Sequence, residues 1–195
     1  FGKKTIEIRP AGSNRISTAV PFDALVIAVG TKVADYGIPG VREHAYFLKD
    51  VSNAASLRRK IVTAFEAAAA PGVPPIEASR LLRFVVVGGG PTGVELAGEI
   101  HDFIVDDVSR VFPRLRGLAK IELLQAGDAV LPSFDQTLRD FALQKLSERP
   151  FVEVRLGTRV VEVLETELVV EVQDGSAVRL PYGVCAWTAG VTAID

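Results

Sequence analysis

The hydrophobic pattern along the chain switches between two periods. Residues 3–9 (KKTIEIR) alternate polar and β-branched side chains, the mark of a half-buried strand. Gly12, Ser13 and Asn14 supply a turn, and residues 15–20 return as a second strand. Residues 22–29 (FDALVIAV) are more uniformly apolar and end at Gly30, which predicts a strand covered on both faces. From Asp50 the spacing becomes helical: Asp50 or Ser52 caps a helix on which Val51, Leu57, Ile61, Phe65 and Ala68 share a face. The run Pro71-Gly-Val-Pro-Pro75 stops it, because consecutive prolines continue neither a helix nor a central strand. A domain boundary is expected there.

A β-branched run at 84–87 then leads at once into Gly88-Gly-Gly-Pro-Thr-Gly93 and a second helical pattern. Residues 121–125 read as the next strand. Ser133 with Gln136 forms a capping-box start for a helix bearing Leu138, Phe141, Ala142 and Leu146. Strands follow at 152–156, 159–164, 168–173 and 178–180, and 184–189 closes on Gly190. The segment 21–30 (PFDALVIAVG) aligns without a gap to 181–190 (PYGVCAWTAG), each after an alternating hairpin. Read as an internal repeat rather than chance, this places the tail of one nucleotide-binding domain before nearly all of a second. The first domain's own glycine loop would then lie upstream of Phe1.

Composition narrows the class. The chain has 195 residues, 48% apolar and 24% charged, enough for one large domain or parts of two. Its 22 basic and 24 acidic residues leave a net charge of −2, so no broad cationic surface for nucleic acid is indicated. The longest uncharged stretch, 180–194, has 15 residues interrupted by Pro181, Gly183 and Gly190, too few to span a bilayer. Cys185 is the one cysteine, and neither CxxC nor HExxH occurs, so no internal disulfide or metal site is expected. Phe1 begins the sequence and methionine is absent, so an internal fragment of a longer protein is expected. Targeting information would then lie outside it.

The chemistry rests on the glycine loop. A bare GxGxxG is weak, but here Gly88, Gly90 and Gly93 stand between a predicted strand and a predicted helix. Gly88 permits the tight turn, Gly90 lets a pyrophosphate approach the backbone, and Gly93 allows close packing of helix on strand. Free N–H groups and the positive dipole end of the helix favour phosphate charge. The competing reading is an ordinary glycine-rich turn. No Lys-Ser or Lys-Thr follows the last glycine, which excludes the Walker pattern. Glu95, Glu99, Asp102 and Asp106 make an acidic stripe, read as a solvated face except for Glu95. That residue lies in the first turn, where dipole stabilisation and a ligand-facing role stay open. At the end of the second strand a carboxylate would mark NADH; the residue there is Gln125, whose neutral amide binds a hydroxyl without repelling a 2′-phosphate. No arginine follows it immediately, so relaxed NADH and NADPH use is expected. Gln125 lies 32 residues after Gly93, against roughly 20 in the common fingerprint, and residues 107–118 are expected to lengthen the helix and its loop. Trp187 reads as core with cofactor-edge contact as the alternative, and Cys185 as a small buried hydrophobe. His44 and His101 receive no role.

Residues 84–103 (FVVVGGGPTGVELAGEIHDF) resemble the NADH-binding signature of type II (alternative) NADH:ubiquinone oxidoreductases, and FDALVIAVG, HAYFLKDVSNAASLRRKI, LPSFDQTL and LPYGVCAWTAG agree. The resemblance implies an α/β, Rossmann-type flavoprotein with two dinucleotide-binding domains, one for FAD and one for NADH or NADPH, with antiparallel β-meander insertions. Residues 1–75 would be the C-terminal part of the FAD-binding domain with its linker, 76–190 the NAD(P)H domain, and 191–195 the return. Hydride would pass from nicotinamide to FAD and then electrons to ubiquinone. Gly88, Gly89, Gly90, Pro91, Thr92 and Gly93 match the pyrophosphate loop, and Glu95 matches the catalytic glutamate near nicotinamide and flavin. Thr188, Ala189 and Gly190 match the strand end at the cofactor crevice, and Gly30 the corresponding FAD-domain turn. The family usually has Glu where this chain has Gln125; neutral residues there resemble NADPH-using plant members. The resemblance further implies the mitochondrial inner membrane, with peripheral attachment through regions outside these residues, and a homodimer or respiratory-complex association. A non-catalytic accessory subunit keeping this fold, and a disulfide- or ferredoxin-reductase-like enzyme, are the other readings.

Overall fold

The computed structural model describes residues 4–9 and 17–193. The chain divides into two compact units between residues 31 and 32 and again between 192 and 193. In the smaller unit, β1 (Thr5–Ile8) and β2 (Thr18–Pro21) pair antiparallel, as the alternating pattern predicts. The expected turn at Gly12, Ser13 and Asn14 lies outside the described residues. Residues 22–29 correct the expectation of a buried strand. They form no strand, and Val26, Ile27 and Val29 are 86%, 75% and 68% exposed. A strand buried on both faces needs neighbours at both edges, and the described residues provide none here. The 21–30/181–190 repeat is therefore a likeness of the flanking hairpins and of the left-handed Gly30, not of the strand itself.

The larger unit opens within β3 (Thr31–Val33) and continues with α1 (Val41–His44), β4 (Tyr46–Phe47) and α2 (Val51–Ala68). Asp50 caps α2 by accepting from the Asn53 amide at 2.9 Å, while Asn53 Oδ1 accepts from the Asp50 amide at 3.3 Å, a reciprocal box. Leu57, Ile61, Ala64, Phe65 and Ala68 are buried, whereas Val51, expected on that face, is 85% exposed in the first turn. The proline run ends α2, and the residues on both sides of it fall in the same compact unit. Pro75 opens α3 (Pro75–Leu81), since a first-turn proline lacks only an N–H that would be unpaired anyway.

Next come β5 (Arg83–Val87), α4 (Pro91–Phe103), α5 (Ser109–Val111), β6 (Lys120–Leu124), α6 (Gln136–Ser147) and β7 (Val152–Arg155). β8 (Arg159–Val163), β9 (Glu167–Glu171), β10 (Ala177–Pro181), β11 (Val184–Trp187) and β12 (Val191–Ala193) complete the order. A π-turn at Ile104–Val108 joins α4 to α5, and Ser109 Oγ donates to the Ile104 carbonyl five residues back at 2.6 Å. The helix is thus lengthened as its spacing predicts. Asp135, rather than Ser133, caps α6 by accepting from the Leu138 amide at 3.1 Å.

The central sheet runs β4-β11-β5-β6-β7, with every neighbouring pair parallel. Both faces are covered. On one, Phe84, Val86, Ile121, Leu123 and Ala186 meet Phe65, Ala97, Ile100 and Leu146 of the helices. On the other, Val85, Val87, Leu124, Cys185 and Trp187 meet Val160, Val163, Leu168 and Leu180 of the antiparallel meander β10-β9-β8. Each fully buried side chain of this size contributes roughly 1.5–3 kcal/mol, and Phe65 also stacks on Phe84 and Phe112 at 5.9 and 6.0 Å. Because α2 shares the first core with β5, residues 32–75 pack as part of the unit that the sequence draws at 76–190.

Asp102, half exposed on the acidic stripe, is not unpartnered. It pairs with Arg149 and lies 2.8 Å from His101 Nδ1, while the His101 ring stacks on Phe151 at 5.1 Å. The Arg149 guanidinium, and then His101, hold the Asp102 carboxyl below its ordinary range. A depressed folded value adds stability that is complete above the unfolded value and disappears as pH falls through the folded one. Asp102→Asn is expected to lower the melting temperature at pH 7, with the difference closing below about pH 4. Melts of parent and variant across that range check it.

Candidate functional site

A cleft of about 990 Å³ opens at the carboxyl ends of β5, β6 and β11, where open parallel sheets bind ligands. Its floor is the glycine loop. The Gly88 amide donates to the Leu124 carbonyl at 2.8 Å, which tethers the turn to β6. Gly88 has φ 108°, and a side chain there would lie 2.7 Å from the Ala189 backbone. Gly93 is more restrictive: a Cβ would fall 1.8 Å from the Gly88 carbonyl oxygen and 2.7 Å from Thr188 Oγ1. Gly90, by contrast, meets nothing within 4 Å. Two glycines are needed for packing, and the third leaves space for a ligand.

α4 begins at this floor with Gly90 at its N-cap and Pro91 at its first position, and no side chain caps it. Its leading amides are therefore open to an anion. Two contacts fix the middle of the loop. Gln125 Oε1 accepts from the Gly89 amide at 2.8 Å, and the Gly89 carbonyl accepts from the Leu131 amide at 2.7 Å. The far wall is β11 with residues 188–190. The Thr188 amide donates to the Val87 carbonyl at 2.8 Å. Trp187 is 1% exposed, and its Nε1 donates to the Ala34 carbonyl at 2.8 Å, which holds the 34–39 segment at the rim. Tyr36, left-handed at φ 54°, brings its hydroxyl to 2.2 Å from where a Gly190 Cβ would stand. Trp187 thus belongs to the core and also lines the cleft. Burial pushes the Cys185 thiol up to about 12, which keeps it an inert hydrophobe.

Gly88, Gly89, Gly90, Pro91, Thr92, Gln125, Ala189 and Gly190 all line this cleft, and Gly93 lies buried beneath it. Glu95 is exposed on α4 and is not among the lining residues; Gly30 belongs to the other unit. Gln125 stands where the second strand ends, but its amide oxygen is committed to the loop, a role that strand-end position alone does not reveal. Tyr36, Thr158 and Arg159 also line the cleft and carry no motif.

Over residues 2–195 the chain matches a family model, that of the pyridine nucleotide-disulphide oxidoreductases. The chain belongs to this family. Within it, the chain is 43% identical over 171 residues to external alternative NAD(P)H-ubiquinone oxidoreductase B1, mitochondrial, of Arabidopsis thaliana, covering 87% of this chain and 30% of that protein. It is 37% identical to the mitochondrial external alternative NADH-ubiquinone oxidoreductase of Yarrowia lipolytica, covering 97% of this chain and 34% of the relative. The chain thus spans about a third of the length of these curated relatives. Among solved structures, NDH2 from Plasmodium falciparum in complex with NADH superposes with a TM-score of 0.83 at 29% identity, covering 92% of this chain and 36% of that one.

Proposed function

We propose that this chain forms the pyridine-nucleotide-binding part of a flavin-dependent NAD(P)H:quinone oxidoreductase. The open floor at Gly90, beneath the uncapped start of α4, carries the reading. It gives a pyrophosphate direct access to main-chain amides. Bound coenzymes supply the hydride chemistry: a reduced nicotinamide gives a hydride and FAD accepts it. The chain's own work is to seat the coenzyme. The 88–93 loop takes the phosphates, and Ala189 and Gly190 border the wall with no bulk of their own. FAD has no comparable cradle among the described residues, where Gly30 is the one residue matched to it.

The relatives' names give ubiquinone and the mitochondrion, and we infer the rest of the assignment. Residues 1–31 are assigned to the FAD-binding domain and ubiquinone is the electron acceptor. The site of action is the mitochondrial inner membrane, reached by peripheral attachment outside these 195 residues, with a homodimer or respiratory-complex association. Nothing in the cleft favours the accessory-subunit reading.

Calorimetric titration of the chain with NADH and with NADPH is the direct test. Saturable heat with either supports the reading, and none with both removes it. For the redox step, anaerobic NADH should bleach the flavin of the full-length protein and a quinone analogue should restore it. An unbleached flavin sinks that step. We also assign Glu95 to the nicotinamide end. Glu95→Gln in the full-length protein is expected to lower kcat by about tenfold, about 1.4 kcal/mol, while coenzyme affinity stays within twofold or so. Unchanged turnover removes Glu95 from the site.

A further inference from the structure

We propose that Arg159 is the residue that recognises the 2′-phosphate of NADPH, held next to the adenosine end of the cleft by the first residues of the meander rather than by the strand that carries Gln125. This deepens the coenzyme-binding reading and rests on it.

Arg159 is the one residue with a formal charge among those lining the cleft, and no carboxylate lines it. Its place is set by backbone. The Thr158 amide donates to the Gln125 carbonyl at 2.9 Å, and the Gly157 amide donates to the Gly127 carbonyl at 2.8 Å. These two bonds fasten the entry of β8 onto the turn that follows β6. Thr158 is 5% exposed, and its hydroxyl donates to the Leu156 carbonyl at 3.2 Å, so the anchor beside Arg159 is firm. In a fold of this kind the adenosine ribose lies at the end of the second strand. Gln125 stands at that end, and Arg159 begins one residue after the bond that touches it.

The guanidinium is unspent. Glu171 stands opposite Arg159 in register across β8 and β9, yet among the described residues no ion pair joins them and no hydrogen bond holds the Arg159 side chain. Two carboxylates lie equally near Gln125 in sequence: Glu122 is buried within β6, and Asp128 lines a different depression with Gln136 and Arg139. Gln125 itself spends its amide oxygen on Gly89 and brings no negative charge. A phosphate within the cleft therefore meets a cation and no lining carboxylate. Arg forms the stronger, forked bond to phosphate oxygens, whereas the 2′-hydroxyl of NADH offers it no charge.

Calorimetry of the chain with NADPH and NADH, repeated for Arg159→Gln and Arg159→Lys, tests this. The exposed side chain should be replaceable without change in the thermal melt. Arg159→Gln should weaken NADPH about tenfold or more while NADH stays within about twofold, and Arg159→Lys should recover part of the loss. Equal losses for both coenzymes would place Arg159 on the shared pyrophosphate and overturn the assignment. So would undiminished NADPH binding in the Gln variant, or an unsubstituted chain that binds NADH and not NADPH. Failure of the unsubstituted chain to bind either coenzyme overturns the parent reading as well, and is seen before any variant is made.

Discussion

Gly93→Ala is expected to cost at least about 100-fold in coenzyme affinity, about 2.7 kcal/mol, and to lower stability by roughly 1–3 kcal/mol. The methyl group would lie 1.8 Å from the Gly88 carbonyl oxygen and 2.7 Å from Thr188 Oγ1. Neither can yield freely. The Gly88 amide is tied to β6, and Thr188 Oγ1 donates to the Val87 carbonyl at 2.9 Å and to the Gly88 carbonyl at 3.1 Å. α4 must draw away from the sheet, taking its leading amides from the phosphate site. Gly90→Ala is the contrast, since its side chain meets only open space. It should melt like the parent and lose affinity alone, because the methyl enters the ligand's volume. NADH calorimetry with thermal melts separates the two; parent-like affinity in Gly93→Ala would show that the loop does not seat the coenzyme as described.

The second large effect belongs to Glu122, which is fully buried on β6. Arg155 Nη2 lies 2.6 Å from one carboxylate oxygen, Lys120 Nζ 3.2 Å from the same oxygen, and Arg83 Nε 3.3 Å from the other. None of these contacts is aligned as a hydrogen bond, so coulombic attraction carries them. Glu153 completes the group, at 2.7 Å from Lys120 and 2.9 Å from Arg155. Glu122→Gln keeps the shape and removes the charge, leaving three half-buried cations facing one carboxylate. Breaking a buried pair by removing one partner costs about 3–5 kcal/mol. Urea denaturation should show a loss of this size. A loss below about 1 kcal/mol would mean that solvent screens the cluster as it does surface pairs.

Much of this architecture is readable in the residues. Phe84–Val87 and Val184–Trp187 are continuous apolar runs because parallel strands are covered on both faces, and Asp50 announces its helix through a local bond. The glycine spacing identifies the loop because each glycine answers a steric demand. What escapes depends on distant partners. Residues 22–29 have the composition of a core strand, but composition does not say which neighbours are present. Pro75 reads as a breaker until its place at the first turn of α3 is known. Gln125 occupies the expected position, but only the fold shows that Gly89 takes its amide oxygen. Arg159 is 34 positions away along the chain, and only α6, β7 and the turn after β7 return it to the same corner. Glu122 in the sequence looks like one more surface acid.

The uncovered run in the smaller unit has a practical consequence. Leu25, Val26, Ile27 and Val29 are exposed in a stretch whose only charge is Asp23 at its start. Short segments of high β-propensity with no proline and little charge pair readily with copies of themselves. Prepared by itself at high concentration, the chain will tend to aggregate through this adhesive strip, and solubility rather than folding of the coenzyme unit will set the working range for every titration.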